Sequence, residues 1–168
     1  ALAAGHLLGQ LPLPSSSRIT LLHVSPGIVP DDGQIALDAA RGALHPSQAE
    51  IEELLREGHP AEQILLAAVE VGADLIVVGA SGHSAIARFF VGSVSERVAR
   101  HATCPVLVAR AKHTELNQVL LGVDGSASSA QAAAFLEQLP LPAACEVRVM
   151  AVSPRLEELV RVRTMQMM

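Results

Sequence analysis

Short apolar runs alternate with helix-period segments along most of this chain, and that alternation limits the folds open to it. Ile19, Leu21 and Leu22 mark a strand over 18–24. Residues 2–10 and 33–44 read as helices, and 60–71 as a helix opened by Pro60 with Ile64, Leu65, Ala68 and Val71 facing inward. Residues 74–79 follow as a short β-branched run of the kind buried in parallel sheets. Val94, Val98 and Ala102 then share one face of a helix over 93–101. A strand over 105–110, a polar linker near 111–117, a strand over 118–123, a helix over 127–138 and a strand over 146–152 complete the series. Residues 49–56 are ambiguous between strand and helix: taken alone AEIEELLRE favours a helix, since its apolar positions do not alternate cleanly. Strands alternating with helices imply an α/β fold built on a parallel, doubly wound sheet.

Between the strand at 74–79 and the helix at 93–101 lies GASGHSAIARFFVGS, with Gly79, Gly82 and Gly92-Ser93 in the spacing G-x2-G-x9-G-S. Glycines let backbone N–H groups approach an anion closely, and a helix start adds partial positive charge. A phosphate-bearing small molecule suits such a loop. The plainer reading is a strand-to-loop turn that needs positive φ. Ser81, His83 and Ser84 are secondary contacts on the phosphate reading. Ser93 and Glu96 also form S-x-x-E, a capping box for the following helix. Each helix-terminus contact contributes about 0.3–1 kcal/mol, so several must act together to reach the roughly 8 kcal/mol of micromolar binding.

This loop resembles the ATP-binding signature of the universal stress protein family, and three further segments share the likeness. Leu21-Leu22-His23-Val24 resembles that family's second strand, and His101 to Val108 its last strand with the preceding turn. Leu120 to Ser126 resembles its opening strand and D-G-S turn. The resemblance implies a five-stranded sheet of order 3-2-1-4-5, in the adenine nucleotide alpha hydrolase-like class, and favours a strand over 49–56. It implies ATP as ligand, with or without Mg, held by Val24, Val78, Gly79, Gly82, Gly92, Ser93, Val94 and Asp124. Val24 and Val78 read equally well as core, and Asp124 as a turn carboxylate before the helix at 127–138.

Part of the chain repeats. An offset of 128 positions aligns Leu11-Pro12-Leu13-Pro14 with Leu139-Pro140-Leu141-Pro142, and Val24-Ser25-Pro26 with Val152-Ser153-Pro154. By the resemblance, residues 1–112 are one repeat lacking its first strand, and 118–168 begin a second. The chain then resembles about one and a third units of a tandem protein, truncated or permuted. The strand at 118–123 is suited to complete the first sheet, in cis or by exchange between chains. Asp124 meets the Gly79–Ser93 loop only in such an arrangement.

Composition narrows the function. Half the residues are hydrophobic, 17% are charged, and the aromatics are three Phe with no Trp or Tyr. Stacking platforms for bases are therefore missing, and a net charge of -5 disfavours nucleic acid. Residues 31–74 hold ten carboxylates against Arg41 and Arg56, whereas 75–113 hold Arg88, Arg97, Arg100, Arg110 and Lys112 against Glu96. The glycine loop falls in the basic part. Cys104 and Cys145 read as free thiols in apolar surroundings, which suits a reducing cytoplasm. No apolar run approaches the roughly 18 residues of a membrane span.

The histidines show no metal-ligand spacing, and His23 reads as structural. The loop is not a Walker A motif, lacking Lys-Ser or Lys-Thr after its glycines, and it lacks the S-G-G-x-D-S loop of pyrophosphate-releasing ligases. The reading is a cytoplasmic stress-response regulator that binds adenine nucleotide with little or no catalysis. It is expected to be a homodimer through 105–110 or by strand exchange, with no nucleic-acid or membrane partner. The alternative is an interaction or dimerisation module that binds no nucleotide. Residues 155–168 read as an amphipathic, Met-ended helix.

Overall fold

Proline and glycine set several element boundaries in the computed structural model, which describes residues 2–25, 27, 30–44, 49–80, 92–110 and 115–151. The elements are α1 (Leu2–Leu8), β1 (Arg18–Ser25), α2 (Pro30–Ala43), β2 (Glu50–Glu57), α3 (Pro60–Glu70), β3 (Ile76–Gly79), α4 (Ser93–His101), β4 (Val106–Ala109), β5 (Gln118–Val123), α5 (Ala127–Gln138) and β6 (Glu146–Ala151). α3 shows how the punctuation works. Pro60 occupies its first turn, where a missing N–H costs nothing. Its far end is a Schellman motif: Gly72 at φ 62° donates to the Val69 carbonyl and Ala73 to that of Ala68.

The chain divides into two compact units, Ala1–Leu116 with Pro140–Pro142, and Asn117–Leu139 with Ala143–Met168. In the first, β1 pairs in parallel with β2 from Arg18 opposite Glu50 to Ser25 opposite Glu57. β3 pairs in parallel with β4 from Ile76 opposite Val106 to Gly79 opposite Ala109. Among the described residues the two pairs form separate two-stranded sheets. The five-stranded order expected from the resemblance is not seen among the described residues, where the strands occur as pairs.

Helices pack as α1 on α2 and α3 on α4. α3 lies against β1, and its Ile64, Leu65 and Ala68 also close over a cluster of Ala61, Ile76 and Val98. It thereby touches both strand pairs. α4 supplies Val98, fully buried, with Val94 and Ala102 beside it, as its spacing predicts. Burial of a side chain such as Ile76 or Val98 contributes about 1.5–3 kcal/mol. A second apolar group, Leu11, Leu37, Ala40, Ala43 and Leu44, is buried where α1 meets α2. Close approach there requires glycine: a Cβ on Gly5 would sit 2.9 Å from the Ala43 Cβ.

β2 settles the segment that reads both ways. Eight residues join β1 in register, and this pairing overrides the local preference for helix. Arg41 binds Glu53 at 2.7 Å and Arg56 binds Glu70, fastening β2 to α2 and α3. These surface pairs contribute under about 1 kcal/mol each. Val71 departs from its expected inward position. It is the C-cap of α3 and is 44% exposed, because the chain turns away at Gly72.

In the second unit β5 pairs in parallel with β6, from Gln118 opposite Glu146 to Val123 opposite Ala151, and α5 packs on β5. All of β6 is exposed. No helix among the described residues is long and apolar enough to cross a membrane. The amphipathic helix expected over 155–168 lies outside the described residues.

Candidate functional site at the strand ends and the start of α4

In parallel α/β sheets, ligands collect beyond the carboxyl ends of strands, where helix N-termini gather. Val24 is the next-to-last residue of β1 and is half-buried. Val78 and Gly79 end β3, both half-buried. Val78 packs against the Ala61, Ile76 and Val98 cluster, so its side chain serves the core. Val94 does the same from α4. Gly82, Ser81, His83 and Ser84 lie outside the described residues.

The start of α4 differs from the expected capping box by one residue. Gly92 is the N-cap, extended at φ -58° and ψ 152°, and Ser93 is the first helical residue. The Gly92 carbonyl accepts the Glu96 N–H at 2.8 Å. Glu96 turns outward to accept from Arg100 at 2.8 Å, instead of reaching back to the cap. Ser93 therefore does not spend its hydroxyl capping its own helix, and the N–H groups of Ser93, Val94 and Ser95 precede the first intrahelical bond. Ser95, 2% exposed, donates its hydroxyl to the Gly92 carbonyl at 2.9 Å and locks this turn. Nothing in the S-x-x-E pattern pointed to Ser95.

The sequence places Arg97 in the basic part of the chain but does not show its contact with the start of α3. Arg97, one turn into α4, lies 3.8 Å from Glu62 and 3.5 Å from the His59 ring, both in the first turn region of α3. The starts of α3 and α4 are thus side by side, with a guanidinium between them. Arg97 is half-exposed, so Glu62 neutralises it only in part. Sequence spacing gave no hint, because the residues are 38 positions apart.

Asp124 belongs to the second unit and follows β5. Its Oδ1 accepts the Ser126 N–H at 2.9 Å, Gly125 turning between them at φ 81°. Ser126 caps α5 and accepts the Ser129 N–H at 3.1 Å. The turn-carboxylate role is thus realised. The Ser126 hydroxyl, then its amide, then Ser129 hold the Asp124 carboxyl down at about 2, against an ordinary 3.8. A depressed carboxylate pKa means that this turn is fully stabilised above about pH 4 and loses that stabilisation as pH falls through about 2. Titration followed at the Asp124 carboxyl carbon by NMR is expected to give a midpoint near 2, moving toward 3.8 in Ser126→Ala. A wild-type midpoint near 3.8 would contradict the assignment.

Cys104 and Cys145 are free and half-buried. Burial pushes the Cys104 thiol up, which keeps it protonated and unreactive at neutral pH. No group of three His, Cys, Asp or Glu side chains among the described residues is arranged to hold a metal.

Residues 8–110 match the universal stress protein family. The universal stress protein MJ0531 of Methanocaldococcus jannaschii is 37% identical over 83 residues, 49% of each chain. The universal stress protein YxiE of Bacillus subtilis is 38% identical over 82 residues, 49% of this chain and 55% of its own. The chain thus spans about half the length of the curated relatives it matches. A solved universal stress protein in complex with cAMP superposes with a TM-score of 0.53 at 32% identity, covering 68% of this chain and 87% of its own. The match over most of the first unit, carried by the same strands and helices that frame the start of α4, shows that this chain belongs to the universal stress protein family.

Proposed function

We propose that this chain binds an adenine nucleotide, ATP in the first instance, at the carboxyl ends of β1 and β3 and the start of α4. The observation that carries the reading is the first turn of α4. Gly79 closes β3, Gly92 caps α4, and the first N–H groups of the helix precede its internal bonds, with Arg97 one turn behind. A related protein solved with cAMP supports an adenine nucleotide as the class. Gly79, Gly82, Gly92, Ser93 and Val94 hold the phosphates, and Val24 and Val78 border the base. Asp124 is the carboxylate that the family resemblance assigns to the nucleotide. Mg²⁺ accompanies the phosphates if it takes part. The role is that of a cytoplasmic stress-response regulator of the tandem type, working by binding rather than turnover. A second reading, a dimerisation module acting through 105–110, is favoured by β4 having β3 as its one strand neighbour among the described residues.

Calorimetry with ATP, cAMP and Mg-ATP tests the first reading against a Ser93→Glu variant. Ser93 is exposed, and a carboxylate in the first turn of a helix supports the helix while repelling phosphate. Micromolar ATP binding is expected for the wild type, weakened about ten-fold or more in Ser93→Glu, a loss of roughly 1.4 kcal/mol. Equal affinity in the two proteins, or no binding with residues 105–110 essential for dimerisation, would favour the second reading.

A further inference from the structure

Arg97 carries a charge that its surroundings match incompletely. Arg41 with Glu53 and Arg100 with Glu96 close to 2.7 and 2.8 Å, inside hydrogen-bond distance. Arg97 instead stands 3.8 Å from Glu62, too far for a hydrogen bond, and meets the His59 imidazole at 3.5 Å. Glu62 is itself 63% exposed, so water screens what it contributes.

The position of the guanidinium adds to the imbalance. His59 is the N-cap of α3 and does not use its side chain to cap that helix, and Glu62 lies in the same first turn. Arg97 follows the first turn of α4, and helical side chains lean over the turn that precedes them. The guanidinium is thus held at the positive ends of two helix dipoles, where a cation is disfavoured and an anion is favoured. A cation so placed, with a loosely held carboxylate beside it, is suited to receive negative charge from a ligand.

We infer that Arg97, seated against His59, makes this site select polyphosphate nucleotides over those with one phosphate. The inference rests on the nucleotide reading and adds to it the class of ligand preferred. The N–H groups of Ser93 and Val94 meet the phosphate nearest the helix start, and so serve ATP and cAMP alike. Arg97 lies to the side of that turn, toward α3, where a longer phosphate chain extends. Its attraction grows with ligand charge, about four for ATP and about one for cAMP. Glu62 opposes the selection, because it competes with the polyphosphate for the same guanidinium. His59 is a positioning residue that holds Arg97 at the start of α3.

The plainer role for these residues is to fasten α3 to α4, and the two roles differ in sign. Breaking a fastening pair from either side acts in one direction. On the selection account, loss of Arg97 weakens ATP binding and loss of Glu62 strengthens it. Calorimetry of the full chain with ATP and with cAMP decides, comparing the wild type with Arg97→Gln and Glu62→Gln. Both side chains are more than half exposed, so both variants keep the fold, which circular dichroism checks. ATP affinity is expected to fall about ten-fold in Arg97→Gln and to rise about three-fold in Glu62→Gln, with cAMP changing less than about two-fold in either. ATP affinity unchanged in Arg97→Gln, or moving the same way in both variants, would overturn the inference and leave the nucleotide reading standing. Equal losses of ATP and cAMP in Arg97→Gln would do the same. A wild type that binds neither nucleotide would overturn the nucleotide reading and this inference with it.

Discussion

Val98→Asp abolishes cooperative folding of the first unit at neutral pH. Val98 is fully buried against Ala61 and Ile76, with Ile64, Leu65, Ala68 and Val78 around it. These side chains are apolar and offer a carboxylate no compensating charge. An uncompensated buried charge costs about 3–5 kcal/mol, on top of the lost apolar contact, against a domain stability of roughly 5–15 kcal/mol. Burial raises the pKa of such a carboxyl, so the penalty is greatest above that raised pKa and shrinks as acid protonates the group. Thermal melts should therefore show no first-unit transition at pH 7 and a partial one near pH 5. Val98→Ala, which removes two methyl groups at about 0.8 kcal/mol each and leaves a small cavity, should cost about 2 kcal/mol. A Val98→Asp protein melting like the wild type would refute the placement of α4.

Gly5→Leu should destabilise the first unit while Gly42→Ala stabilises it, although both replace a helical glycine. Either change gains up to about 1 kcal/mol of helix propensity. At Gly5 the first added carbon already meets the Ala43 Cβ at 2.9 Å and the Ala40 carbonyl oxygen at 3.2 Å. The rest of a leucine forces α1 off α2, and overpacking of this kind costs about 1–3 kcal/mol. α1 also rests on β3 and β4, so its displacement spreads to them. The net expectation is a loss of about 2 kcal/mol in denaturant melts, the overpacking outweighing the propensity. At Gly42 nothing lies within 4 Å of an added Cβ, so Ala there should gain about 0.5–1 kcal/mol. Two stabilised proteins would show that α1 and α2 are not in close contact.

Most elements were legible because their patterns were local. α4 announces its buried face through Val94, Val98 and Ala102, and Pro60 announces the start of α3. β2 was not legible on its own. Ile51 and Leu54 are half-buried on opposite faces of the strand, so no alternation is written into it, and its identity comes from pairing with β1. Val71 misled because its helical spacing continues one residue past the point where Gly72 turns the chain. At the candidate site, the glycines at strand and helix ends were readable, whereas the one-residue shift of the cap was not. That shift follows from the extended Gly92 backbone, which lets its carbonyl take the Glu96 N–H and the Ser95 hydroxyl. The contact between Arg97 and His59 escaped notice because tertiary packing of α3 on α4 brings them together.

Amide NMR during an ATP titration tests the central claim, that nucleotide binds at the start of α4, most directly. The account predicts saturable shifts at Gly79, Ser93 and Val94 in the micromolar range, with α2 amides such as Asp38 unmoved. Shifts confined to other elements, or none up to millimolar ATP, would contradict it.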